Sequence, residues 1–345
     1  MIPLLSEFKI LQPQSFTSHW IAPSNIAFVK YWGKRENQIP ANSSLSMTLK
    51  ECLTKTKTQF TPSKELRVEL LLSGERNDAF STKMFNYVEK LASYYPVLNQ
   101  VDIRVETENT FPHGAGIASS ASGMAAFALT LTDYLYHLSS RERTKDFFQH
   151  ASYLARLGSG SACRSLYGGF TGWGTHISND YAVPIDVHDL FQTLNDSILV
   201  ISSEEKKVSS SAGHSQMKGH YFAERRFDQA NDHFARCISA LKTGDIEAVG
   251  TILESEALAL HAMMLTSPKP FTLFHPNTIK GMNIVWQFRQ DTKIPVYFTL
   301  DAGPNLHLIY PDAHKKNVLT FINSELNHLC EMVIHDRVGD GPTPC

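Results

Sequence analysis

Three stretches of this sequence combine residue types suited to holding an anion. In residues 111–123, Gly114-Ala115-Gly116 precedes Ile117-Ala118-Ser119-Ser120-Ala121-Ser122-Gly123. Two glycines let the backbone curl so that successive amides converge on one point. Ser119 and Ser120 then open a long apolar run, where the free N–H groups and dipole of a helix start favour negative charge. Their hydroxyls suit phosphate oxygens or a magnesium ion. The Walker pattern is absent, because Gly33-Lys34 is followed by Arg35, and the dinucleotide Gly-x-Gly-x-x-Gly spacing fails at Ser119. The same loop also reads as a Gly-rich turn capping a core helix, with its serines as N-caps.

The second stretch is Gly158-Ser159-Gly160-Ser161-Ala162-Cys163-Arg164-Ser165, followed by Gly168-Gly169. Small residues make room for a ligand near the backbone, and Arg164 offers a fork that matches a carboxylate or phosphate. The alternative for Arg164 is a surface ion pair. Cys163 reads as a small core residue, and no nucleophile-elbow spacing occurs. In the third stretch, Asp301 sits between an apolar run and Gly303-Pro304, where an Asp also commonly starts a turn by bonding its own backbone. Lys30 lies in an apolar segment and needs a partner or an exit to water. A carboxylate is the natural partner, and an ion pair between them would keep Asp301 ionised. The polar loop 206–213 reads either as a solvated turn or as a hydroxyl-rich phosphate clamp. His113, His214, His261 and His307 have no metal-ligand spacing and read as structural or surface residues.

These residues must be positioned by a mixture of strands and helices. Residues 18–50 alternate apolar and polar around turns near Gly33 and Pro40, and residues 52–72 contain period-two runs such as Leu66-Arg67-Val68-Glu69-Leu70. Residues 101–105 predict a strand leading into the Gly-rich loop, and 118–138, free of proline and rich in Ala and Leu, predicts a buried helix. Residues 197–202 predict a strand. Helices are expected over 221–243, over 245–265 with Asp245 as N-cap, and over 277–290. Strands at 295–300 and 306–310 flank the Asp301 turn. The pattern is α+β. A division near residue 190 gives an N-terminal half, 1–190, with the phosphate loop and a C-terminal half, 191–345. The tail 338–345 is expected to be flexible.

Composition limits the function. Hydrophobic residues make up 42% and charged residues 19%, with a formal net charge of −2, so no global basic field draws the chain to nucleic acid or an anionic membrane. Five scattered cysteines give neither a disulfide framework nor a zinc pattern. No secretory leader is evident and no run approaches the apolar length of a membrane span, so a cytoplasmic location is expected.

Taken together and in order, five segments resemble the mevalonate diphosphate decarboxylases of the GHMP kinase superfamily. They are residues 25–35, Asn42-Ser43-Ser44-Leu45-Ser46, the Gly-Ala-Gly-Ile-Ala-Ser-Ser-Ala loop, the Gly-Ser-Gly-Ser-Ala-Cys-Arg-Ser stretch and Asp301-Ala302-Gly303-Pro304-Asn305. The resemblance covers residues 18–345. It implies the GHMP kinase fold: a ribosomal-protein-like N-terminal half with a left-handed βαβ unit, a ferredoxin-like C-terminal half, and the active site between them. It also implies a homodimer that uses ATP and magnesium. By motif, Gly114, Gly116, Ser119, Ser120 and Ala121 would cradle ATP phosphates, with Ser120 reaching the metal. Asp301 would meet the 3-hydroxyl of the substrate, Arg164 its 1-carboxylate, and Lys30 would support Asp301 and the transferring phosphoryl. Tyr31, Lys34 and Ser210 would hold the diphosphate, and Asn25, Ser159 and Ser161 would complete the substrate pocket. His113, Ile117 and the residues 211–214 depart from the family's usual pattern. A relative that accepts mevalonate 5-phosphate, or one that only phosphorylates the 3-hydroxyl, is the alternative within enzymes; a non-catalytic binding protein of the same fold is the alternative outside them.

Overall fold

The computed structural model describes residues 12–112, 117–204 and 210–345. The N-terminal half is built on two long strands, β1 (Phe16–Val29) and β2 (Ser44–Pro62), paired antiparallel. Along β2 every even-numbered residue from Cys52 to Phe60 is buried, the period-two signature of a sheet with one covered face. The sheet continues through β3 (Arg67–Leu72), β4 (Glu75–Arg76) and β5 (Val101–Asn109). β3 and β5 pair in parallel, and α1 (Asp78–Ala92) makes the crossover between them. The expected helix is α2 (Ser119–Leu138), which lies across β1 and β2 and is buried along most of its length. α3 (Lys145–Gly158) packs on α2 and leads into a tight 3-10 turn, Gly160–Leu166, which carries Arg164. β6 (Phe170–Gly174) then pairs with β2, and β7 (Ser178–Ile185) with β6.

After a single turn, α4 (Asp189–Gln192), a second sheet begins with β8 (Asn195–Val200). α5 (Ser210–Ser215) is followed by α6 (Ala223–Thr243) and α7 (Ile246–Leu265), which pack together as a hairpin. Asp245 caps α7 as expected, accepting the Ala248 N–H at 2.9 Å. α8 (Pro276–Thr292), β9 (Tyr297–Thr299), β10 (Leu306–Tyr310), α9 (Lys315–Phe321) and β11 (Met332–Arg337) complete the half, with strand order β11–β8–β10–β9, antiparallel throughout. The α+β expectation holds.

Two expectations are corrected. By length and composition α7 is apolar enough to cross a membrane, with a mean hydropathy of 1.3, although no stretch was expected to reach that mark. Here it is a core helix: 56% of that window is buried, and Glu254 and Glu256 sit in its buried face bonded to Arg289 and Arg226. The C-terminal tail is docked, not flexible. Gly339 donates to Thr48 O (2.8 Å) and accepts from Gly169 N (2.9 Å), and β12 (Thr343–Pro344) pairs with the outer edge of β1. An open edge of β1 would leave a row of unpaired backbone groups. Glycine makes the contact possible: a Cβ on Gly168 would lie 2.4 Å from the Asp340 backbone.

Candidate active site

Lys30 follows the last residue of β1, where eight buried positions in a row leave its stem no route to solvent. It is 2% exposed, and its ammonium donates to Asp301 Oδ1 at 2.9 Å and to Ala27 O at 2.7 Å. Asp301 lies two residues beyond β9, with its carbonyl 3.2 Å from His261 Nε2. The expected pair therefore forms. Burial pulls the Lys30 ammonium below its ordinary value, while Asp301 and Glu256 oppose that pull. The backbone of Lys30 is clamped on both sides: its N–H donates to Glu256 Oε2 (2.9 Å) and its C=O accepts from Asn42 Nδ2 (2.9 Å). Glu256, on α7, is fully buried and also accepts two bonds from Arg226 and one from His233. Burial alone would raise its carboxyl, but Arg226, His233 and the Lys30 amide together hold it below the usual carboxylate value.

Arg164 is 2% exposed, so a surface ion pair is ruled out. Ser44 and Ser46, two apart on β2 and therefore on one face, accept from its Nη1 (2.7 Å) and Nε (3.0 Å), and Asn25 Oδ1 accepts from Nη2 at 3.4 Å. Among the described residues no carboxylate meets it. Burial pulls the guanidinium below its ordinary value, and Asp301 is one of the groups opposing that pull. A buried cation held only by neutral acceptors lacks several kcal/mol of compensation that an anionic ligand would supply.

Lys30, Arg164 and Asp301 line one cleft of about 560 Å³ between the two halves. Tyr31, Lys34, Ser159 and Ser161 line it as well, and so do Ala118, Ser119 and Ser120 at the start of α2. Ala118, in the left-handed region at φ 48°, is the N-cap and offers no side-chain acceptor, so among the described residues the Ser119 and Ser120 amides remain for a ligand, while those of Ala121 and Ser122 bond Ala118 O. Lys34 and Lys83 both reach the cleft without a carboxylate partner among the described residues. Burial and the nearby Lys83 charge lower the Lys34 ammonium. An apolar wing of Leu70, Leu72, Phe80, Met84 and Phe127 belongs to the same lining.

Two expected ligand residues stand elsewhere. Ala121 is fully buried and its N–H donates to Ala118 O at 2.8 Å, so it packs the helix. Asn25 stands behind the wall, where its amide donates to Ser165 Oγ (2.8 Å) and its carbonyl holds Arg164. Gly114, Gly116 and His113 lie outside the described residues, as do residues 205–209; Ser210 opens α5, and its side chain is also outside the described set. Glu256 and Lys83 were not singled out from the sequence, and His214, read there as a structural or surface residue, lines the cleft. For Glu256 the signal was present: an acid inside an apolar helix needs a cation, the argument that picked out Lys30.

Among the described residues no group of three His, Cys, Asp or Glu side chains could cage a metal. Magnesium carried on nucleotide phosphates needs few protein oxygens, and the Ser119 and Ser120 hydroxyls on the cleft wall fit that demand.

Residues 22–182 match the model of a diphosphomevalonate decarboxylase-like N-terminal domain, and residues 197–337 that of a mevalonate 5-diphosphate decarboxylase C-terminal domain. The diphosphomevalonate decarboxylase of Debaryomyces hansenii is 30% identical over 334 residues, covering 89% of this chain and 82% of that protein. That of Saccharomyces cerevisiae is 31% identical, covering 89% and 81%. Among solved structures, mevalonate diphosphate decarboxylase from Staphylococcus aureus superimposes with a TM-score of 0.86 at 29% identity, covering 96% of this chain and 98% of the other. The complex of MDDEF with MVAPP, AMPPCP and magnesium gives 0.85 at 30% identity, covering 96% and 99%.

Proposed function

The chain belongs to the diphosphomevalonate decarboxylase family, and from that premise we propose how its own residues divide the family's reaction. The fold is that of the GHMP kinases. The enzyme is an ATP-dependent carboxy-lyase of the mevalonate pathway, converting mevalonate 5-diphosphate to isopentenyl diphosphate. ATP and magnesium serve the reaction. Tertiary hydroxide is a poor leaving group, so the γ-phosphoryl of ATP is first transferred to the 3-hydroxyl. The C–O bond then breaks with its electron pair on phosphate, positive charge develops at carbon 3, and the bond to the departing carboxylate supplies the electrons of the new double bond. Carbon dioxide, phosphate and ADP leave.

This scheme requires three anionic groups to be oriented and neutralised in a space that excludes water. The observation that carries our assignment is the buried Arg164 guanidinium, without a carboxylate partner among the described residues, on the same cleft as the Lys30–Asp301 pair. Arg164 takes the 1-carboxylate. Asp301, held by Lys30, orients the 3-hydroxyl, and the Lys30 ammonium faces the phosphoryl group in transfer. The start of α2, with Ser119, Ser120 and the loop glycines Gly114 and Gly116, receives the ATP phosphates, and the apolar wing receives the base. Ser120 would help to hold a magnesium ion against those phosphates, where the ion would offset their charge. Tyr31, Lys34, Ser159 and Ser161 surround the diphosphate end, and Ser210 is assigned to it with them. The proposal extends to a homodimer in the cytoplasm, which family membership supports.

The test is product stoichiometry. Purified protein with ATP, magnesium and mevalonate 5-diphosphate should release carbon dioxide and ADP in equal amounts, with weaker turnover of mevalonate 5-phosphate. ADP without carbon dioxide would show a kinase only, and a preference for the monophosphate would move the substrate assignment.

A further inference from the structure

Beside the diphosphate end of the cleft stands a histidine with no role in the scheme above. His214, on α5, lines the cleft with its ring lodged between Tyr31 (centroids 4.5 Å apart) and Trp32 (4.6 Å). Gly213 allows this packing: a Cβ there would lie 2.5 Å from the Trp32 ring. The Gly33 N–H donates to His214 Nδ1 at 3.1 Å. A ring nitrogen that accepts from an amide carries no proton, so in the neutral ring the proton is on Nε2. Among the described residues no hydrogen-bond partner meets Nε2.

We propose that His214 is a substrate-binding residue whose Nε2–H donates to a phosphate oxygen at the diphosphate end of the ligand. The inference rests on the reading that the Tyr31–Lys34 wall takes the diphosphate. Burial, with Lys34 adding to it, pushes the imidazole down to about 3, so it remains an uncharged donor at neutral pH. Lys34 supplies the charge on this wall and His214 supplies direction. The diphosphate is unchanged from substrate to product, so contacts to it are uniform binding and act on KM. A neutral donor orients that end while holding the product less tightly than another cation would.

Two substitutions separate this role from simple packing. In His214→Asn the side-chain oxygen can replace Nδ1 as acceptor for Gly33, but the donor at Nε2 is gone. In His214→Gln the amide nitrogen reaches the position of Nε2, and the anchor to Gly33 is lost. Titration calorimetry with mevalonate 5-diphosphate should show about tenfold weaker binding for His214→Asn and a change within about threefold for His214→Gln, the worth of one hydrogen bond to a charged group. The reverse order, or wild-type affinity in His214→Asn, would overturn the proposal. Inorganic diphosphate, titrated in parallel, keeps the two readings apart. If the Asn and Gln variants keep that order with inorganic diphosphate while mevalonate 5-diphosphate fails to bind the wild type, the phosphate contact stands and the substrate assignment falls.

Discussion

A guanidinium is held in this protein by two serine hydroxyls and an asparagine carbonyl. Neutral acceptors satisfy hydrogen bonds but not charge, which primes Arg164 for an anion. Its planar fork, fixed by Ser44 and Ser46, also sets the approach of that anion, and an ammonium cannot copy the fork. Arg164→Lys should therefore lower kcat/KM for mevalonate 5-diphosphate by roughly tenfold to a hundredfold, the worth of one or two charge-assisted bonds. Steady-state kinetics checks this, and a change of less than twofold would remove Arg164 from the site. Lys30 shows the complementary case. Its partner was inferable because a lysine in an apolar strand has few solutions, and the structure supplies Asp301 at 2.9 Å.

At the scale of elements, the docked tail ties the halves together. Val338 donates to Leu194 O and Gly339 to Thr48 O, Gly169 donates to Gly339 O, and Cys345 donates to His19 O. Removing residues 338–345 deletes these four bonds, and at about 1 kcal/mol each the loss of stability should be about 4 kcal/mol. Urea unfolding measures it directly; an unchanged midpoint would show that the tail contributes nothing. The sequence reading missed this docking because backbone pairing carries little side-chain signal, and Gly339 and Gly341 next to Pro342 resemble any loose terminus. Elements with a strong period were legible: α2, α6, α7 with its Asp245 cap, and the strands on either side of Asp301. α1 was legible too but passed over, since Met84, Tyr87, Val88 and Leu91 sit at helical spacing and are all buried. The supports of the site were harder to find. That Glu256 bonds the Lys30 amide and that Asn25 stands behind Arg164 depend on which strands and helices meet, and spacing along the chain does not encode that.

At the scale of the whole molecule, the cleft exists because the two halves close on each other. The N-terminal half contributes Lys30, Arg164 and the start of α2; the C-terminal half contributes Asp301, His214 and, from behind, Glu256. Lys30 and Asp301 are 271 positions apart in sequence, and their contact joins the halves at the point where we place the chemistry. The account stands on that acid orienting the 3-hydroxyl for phosphoryl transfer. The most direct measurement is single-turnover carbon dioxide release by Asp301→Asn, alongside its affinity for mevalonate 5-diphosphate. The amide keeps the shape and loses the charge, so binding should stay within about tenfold of wild type while turnover falls by about a thousandfold or more. Near-normal turnover in Asp301→Asn would contradict the account.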